Sequence, residues 1–202
     1  MPPHDGPRPE LEQYRTPAPV AADLLWEALQ AGDIAGRRVL DLGCGTGMLS
    51  LGAVLCGAAE VLGVDVDRAA VRTAEEVIRA GAAHAGMPAE RARFEVADVG
   101  AWHPGPWDTV LMNPPFGAQR GDRRGDRVFY DRAAEAVRPT HGAVWFFAQP
   151  VSERFLTAYA RDLGARIDRV GVWDWPLEAS LAFHDQSVRR LRVGGYRMSF
   201  AR

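Results

Sequence analysis

Three glycines at alternate positions, Gly43, Gly45 and Gly47, follow an apolar strand pattern over 38–42 and precede a helical pattern that starts near residue 48. No other stretch constrains the fold as strongly. Glycine permits positive φ and removes the Cβ, so three in five residues mark a sharp turn with backbone brought close to something else. A strand, such a turn and a helix open a βαβ unit, and the rest of the chain continues the alternation. Periodicity predicts helices over 19–31, 48–56, 68–85, 129–137 and 152–163. It predicts strands over 38–42, 61–66, 93–97, 109–112, 143–148, 166–173 and 191–200. The fifth strand, Ala-Val-Trp-Phe-Phe-Ala, is apolar throughout, as a central parallel strand is. The last two strands read as a hairpin with a long, irregular connection. The expected architecture is α/β: a doubly wound, mostly parallel seven-stranded sheet with an antiparallel closing strand.

At 202 residues the chain suits one well-buried domain. Residues 1–9 hold four Pro and one Gly and are expected to be a disordered lead-in, which leaves 10–202 as a single domain. No apolar run nears the ~18 residues a membrane helix needs. The first residues lack an apolar signal core. Two cysteines, Cys44 and Cys56, make no disulfide framework, so the expected compartment is the reducing cytoplasm. A net charge of −2 argues against a surface coated for nucleic acid and leaves room for a local basic patch.

The glycine turn is suited to a nucleoside cofactor, and the residue types around it narrow the choice. Its spacing is G-x-G-x-G, not the G-x-G-x-x-G of dinucleotide sites, and Asp41 precedes it. A carboxylate there repels a pyrophosphate and attracts the ammonium of a methionine moiety, which favours S-adenosylmethionine (SAM) over NAD. Asp65 follows about 20 residues on, where a carboxylate accepts both ribose hydroxyls. Val66 is placed against the adenine and Asp67 at a helix N-cap; the bland alternative makes both aspartates caps. Asp98, at the end of the third strand, is a candidate acceptor for the adenine amino group, or an ordinary loop aspartate. Cys44 inside the turn, Leu49 just past it and Val99 beside Asp98 complete the cofactor set. No metal is expected.

The fourth strand ends in Asn113-Pro114-Pro115-Phe116. The Asn113 side-chain oxygen and the Pro114 carbonyl can each accept a hydrogen bond from a substrate NH2, aiming its lone pair at a methyl donor. Pro114 and Pro115 fix φ and so hold those acceptors. Phe116 stacks on a flat substrate, worth ~1–3 kcal/mol for a base. The neutral reading is a plain turn after a strand. Beyond it, 120–127 carries Arg120, Arg123, Arg124 and Arg127 with two Asp, either a grip for phosphates or a solvated loop.

These motifs resemble the class I SAM-dependent methyltransferases. More closely, they resemble the methyltransferase-like-five family of ribosomal RNA adenine-N6 methyltransferases and its archaeal relatives. The resemblance rests on Glu12-Gln13-Tyr14-Arg15-Thr16, the glycine turn through Leu49, Gly63-Val64-Asp65-Val66-Asp67 and Asn113 to Gly117. It continues through Asp126 with Phe129, and Phe183-His184 followed by Tyr196. It implies a Rossmann-like methyltransferase sheet, with Gln13 and Thr16 closing over SAM from the N-terminal side. It further implies an adenine in structured RNA as acceptor and a small activator subunit as partner. The chain departs from the family on the fifth strand, where Trp145-Phe146-Phe147-Ala148 stands for Tyr-Ser-x-His. Competing readings are N5-glutamine methylation of a protein, adenine methylation of DNA, and a silent SAM-binding subunit.

Overall fold

The computed structural model describes residues 16–103, 105–115, 125–176 and 190–200. In chain order the elements are α1 (Ala18–Gln30), β1 (Arg38–Leu42), α2 (Met48–Leu55), β2 (Glu60–Asp65), α3 (Arg68–His84) and β3 (Ala92–Val96). Then come β4 (Thr109–Met112), α4 (Gly125–Ala136), β5 (Ala143–Ala148), α5 (Glu153–Asp162), β6 (Ala165–Pro176) and β7 (Arg190–Phe200). The strands form one seven-stranded sheet in the order β3-β2-β1-β4-β5-β7-β6. β1 to β5 pair in parallel, and β7 is antiparallel to both β5 and β6. The antiparallel strand therefore lies inside the sheet, and β6 forms the edge. The chain winds outward from β1 to β3 and then returns to β4, so winding reverses between β1 and β4.

Alternation along the strands divides the core into two apolar layers. Val39, Val61, Leu111 and Trp145 face Leu24, Leu25, Val54 and Ile78 of α1, α2 and α3. Leu40, Leu62, Val110 and Phe146 face Tyr130, Ala133, Leu156 and Ala160 of α4 and α5. Among the described residues between β3 and β4 no helix forms; Val99 and Trp107 join the second layer in its place. Asp33, in the loop before β1, accepts hydrogen bonds from Trp145 Nε1 at 2.9 Å and Arg197 Nε at 2.8 Å. That ties the base of the first helix to β5 and β7, and the paired donors make a buried carboxylate tolerable. The Asp67 carboxylate accepts the Ala69 N–H at 2.8 Å, the expected N-cap of α3, worth ~1 kcal/mol.

Two boundaries differ from expectation. α4 begins at Gly125, four residues ahead of the predicted 129, so Arg127 lies on a helix and not in a loop. Gly and Asp at 121–126 read locally as loop, whereas the apolar face of Tyr130, Ala133 and Ala136 packs on the sheet and carries the helix back. β6 runs on to Pro176 because it pairs along the whole of β7, with a register shift between Arg169 and Gly171.

Candidate functional site

Leu42 on β1 is in register with Val64 on β2 and with Met112 on β4. The next residue on each chain is Gly43, Asp65 and Asn113. These three stand side by side at the carboxyl edge of the sheet, on neighbouring strands ~4.8 Å apart. The row includes the pair at which winding reverses, where open α/β sheets hold their ligands.

The glycine turn takes positive φ at all three glycines, +68° at Gly43, +52° at Gly45 and +81° at Gly47. Its backbone is fastened to β2: Gly43 and Cys44 both donate to the Val64 carbonyl, at 2.8 and 3.0 Å. Gly45 donates to Asp65 Oδ2 at 2.8 Å. Among the described residues a Cβ at Gly45 would meet no atom within 4 Å, which leaves room beside the backbone there. A Cβ at Gly43 would stand 2.8 Å from Phe129 Cε1, which seats α4 directly on the turn.

Asp65 is only 9% exposed. Its Oδ1 accepts the Asp67 N–H at 2.9 Å while Oδ2 accepts Gly45. Burial raises its pKa, opposed by these backbone hydrogen bonds. A carboxylate has about four acceptor sites, so these two hydrogen bonds do not exhaust it. Beside it Val66 is 55% exposed, an apolar surface at the rim. Asp41 lies behind the turn, 1% exposed, and Ser50 Oγ donates to its Oδ2 at 2.6 Å. Burial pushes Asp41 up to about 7; the Ser50 hydrogen bonds oppose that rise and the Asp65 charge adds to it. Asp41 thus lies beneath the turn, where its side chain is closed off from the crevice by the fold itself.

The half-buried Asn113 donates from Nδ2 to Thr16 Oγ1 at 3.2 Å, across 97 residues of sequence. Thr16, 9% exposed, is thereby brought to the end of β4. Pro114 is buried and Pro115 half-buried. Phe116, Gln13, Arg120, Arg123 and Arg124 lie outside the described residues.

Other expectations fare differently. Asp98 is exposed, and its Oδ1 accepts the Gly100 N–H at 2.8 Å, the geometry of a loop aspartate. Leu49 packs among α1 to α3, and Val99 packs in the layer beneath α4. Cys44 is buried, which pushes its thiol far above the usual range. These three support the crevice from behind and present little surface to it. Arg127 is exposed on α4, 3.6 Å from Asp131 one turn on, a surface pair worth under ~1 kcal/mol. Two residues at the site went unassigned in the sequence, Ser50 and Phe129. Ser50 carries no motif, and Phe129 was visible only as part of a family pattern. Among the described residues no group of three or more His, Cys, Asp or Glu suits a metal. No described helix is long and apolar enough to cross a membrane.

Comparison with known proteins fits this geometry. The model of the methyltransferase small domain matches residues 18–159. The chain is 32% identical to the rRNA N(6)-adenosine-methyltransferase Mettl5 of Drosophila melanogaster over 196 residues, 96% of this chain and 88% of that one. It is 29% identical to an uncharacterised protein of Methanocaldococcus jannaschii, over 96% of this chain and 87% of the other. The crystal structure of a candidate RNA methyltransferase from Pyrococcus horikoshii matches with a TM-score of 0.81 at 34% identity, covering 98% of this chain and 89% of that one.

Proposed function

Because the chain belongs to the methyltransferase small domain family, we propose that it methylates the N6 amino group of an adenosine in ribosomal RNA, with SAM as donor. The observation that carries the reading is the row of Gly43, Asp65 and Asn113 on three adjacent strands. It brings a nucleoside cradle and an amine acceptor into one crevice.

The residues present fit SAM. Open backbone at Gly45 gives room for the cofactor, the remaining acceptor sites of Asp65 suit a ribose diol, and exposed Val66 suits an adenine face. When bound, SAM supplies an electrophilic methyl on a sulfonium. The protein's part is positioning. The Asn113 side-chain oxygen and the Pro114 carbonyl accept the two N6 hydrogens, drawing the nitrogen out of conjugation and directing its lone pair. Holding reacting atoms ~3–3.5 Å apart supplies much of the acceleration in such a step. No general base is required before transfer, since the proton can leave to solvent afterwards. Extruding the adenine costs a few kcal/mol, so a looped or single-stranded target is favoured.

Similarity to the Drosophila enzyme supports RNA as acceptor, over a protein glutamine or DNA. Incubation with labelled SAM and total RNA, DNA or protein is expected to label RNA; label confined to protein or DNA refutes the reading. A cytoplasmic location fits this reading. A small activator subunit bound along a sheet edge fits the same reading, through strand addition. Co-purification after co-expression tests that.

Asp41 makes cofactor affinity depend on pH. A nearby cation stabilises the ionised carboxyl and lowers its pKa, so bound SAM and ionised Asp41 favour one another. With the free-protein value at about 7, affinity is expected to fall by up to about tenfold per pH unit below that point. Calorimetry between pH 7 and pH 5.5 checks it, with proton release on binding. For folding, a carboxyl raised from 3.8 to about 7 contributes stability that is complete below 3.8 and lost as pH rises through about 7.

A further inference from the structure

We infer that the Thr16 hydroxyl is a positioning group for Asn113: it accepts the amide N–H and so holds that side chain in place at the end of β4. The inference rests on the reading of Asn113 as acceptor of the N6 amine and adds a role that covering the cofactor does not include.

An asparagine amide is nearly symmetric in shape, and a half-turn about its last torsion exchanges an acceptor for a donor. At this site the two orientations have opposite consequences. With oxygen toward the substrate, the amide accepts an amine hydrogen. With NH2 toward the substrate, two donors oppose each other. Asn113 Nδ2 donates to Thr16 Oγ1 at 3.2 Å, with the NH2 end toward the threonine. A threonine hydroxyl can accept or donate, so it holds the side chain in place while the substrate amine itself selects the oxygen.

The placement of Thr16 makes it a stiff partner. It is β-branched, which restricts χ1, and it precedes a proline, which restricts its backbone to extended conformations. Pro17 is the N-cap of α1, at φ −61° and ψ 136°. α1 is anchored through Leu24 and Leu25, 0% and 3% exposed, with Leu25 packed onto Gly52 of α2. The hydroxyl is thus held by a rigid element that begins at the same edge of the sheet where β4 releases Asn113.

Asn113 is the sole asparagine of the chain, which gives a readout that needs neither cofactor nor substrate. Protein labelled with 15N-asparagine yields one pair of side-chain NH2 proton signals. Thr16→Val, which keeps the shape and removes the hydroxyl, is expected to move that pair. It should also lower the single-turnover rate at saturating SAM by about tenfold, the scale of one lost hydrogen bond, while SAM affinity changes by less than about threefold. Thr16→Ser restores the hydroxyl and is expected to restore both signals and rate. A Thr16→Val protein that turns over at the wild-type rate overturns the inference. So does one that loses only SAM affinity, or one whose NH2 signals stay in place. Asn113→Ala separates this from the parent reading: if it remains active, the proposed role of Asn113 fails. If it is dead while Thr16→Val is fully active, only the role of Thr16 fails.

Discussion

Asn113→Ala is expected to lower kcat by about a hundred- to a thousandfold while leaving SAM affinity within a few fold of wild type, the scale seen when one group aimed at a developing charge is removed. The asymmetry follows from position. Asn113 leaves β4 beside the glycine turn, but the proposed cofactor cradle is built from the ends of β1 and β2. Deleting the amide removes an acceptor that matters most as the amine nitrogen becomes cationic and its hydrogens more acidic. Ground-state binding of SAM barely registers that loss. Pro114 and Pro115 remain and still shape the turn, so the folded protein should melt within a few degrees of wild type. Single-turnover kinetics at saturating SAM, with calorimetric affinity alongside, measure both halves. A large loss of affinity with kcat intact would move Asn113 into the cofactor site.

Asp65→Ala is expected to produce the opposite pattern, weakening SAM by at least about a hundredfold. A hydrogen bond to a charged group contributes about 1.5–3 kcal/mol, and a ribose diol offers two. The loss extends to the free protein. Asp65 satisfies the N–H groups of both Gly45 and Asp67, and removing it leaves those donors to water or to nothing. An unsatisfied buried donor costs about 1–3 kcal/mol, so a lower melting temperature should accompany the weaker binding. Asp65→Asn retains the shape and one acceptor oxygen and should fall between. If Asp65→Ala melts earlier but binds SAM normally, the carboxylate only braces the turn.

Some of this was written in local sequence and some was not, and the division has a physical cause. The glycine turn is legible because positive φ and close backbone approach leave few options besides glycine. All three glycines do take positive φ. The fold class was legible because the period of apolar residues reports helix or strand directly. The seven strands, one of them antiparallel, follow from it. Which residues of a motif point inward was not legible. Leu49 and Val99 stand where cofactor contacts are expected, yet both turn into the core, because a residue just past a strand or in the first turn of a helix can face either way. Pairings across the fold were equally hidden. Ser50 meets Asp41 only because the first turn of α2 packs over β1, and Phe129 meets Gly43 only because α4 docks on the turn. Thr16 and Asn113 are 97 residues apart, and the resemblance alone pointed to Thr16, with a different partner.

The chemical identity of the methylated atom tests the central claim most directly. RNA labelled by the wild-type protein from methyl-labelled SAM would be digested to nucleosides and resolved by mass spectrometry against standards. An amide oxygen and a proline-held carbonyl arranged to accept two amine hydrogens predict that the label resides in N6-methyladenosine. Label on a ring nitrogen, a ring carbon or a ribose oxygen would contradict the account, since none of those acceptors offers the pair of hydrogens that Asn113 and Pro114 are proposed to receive.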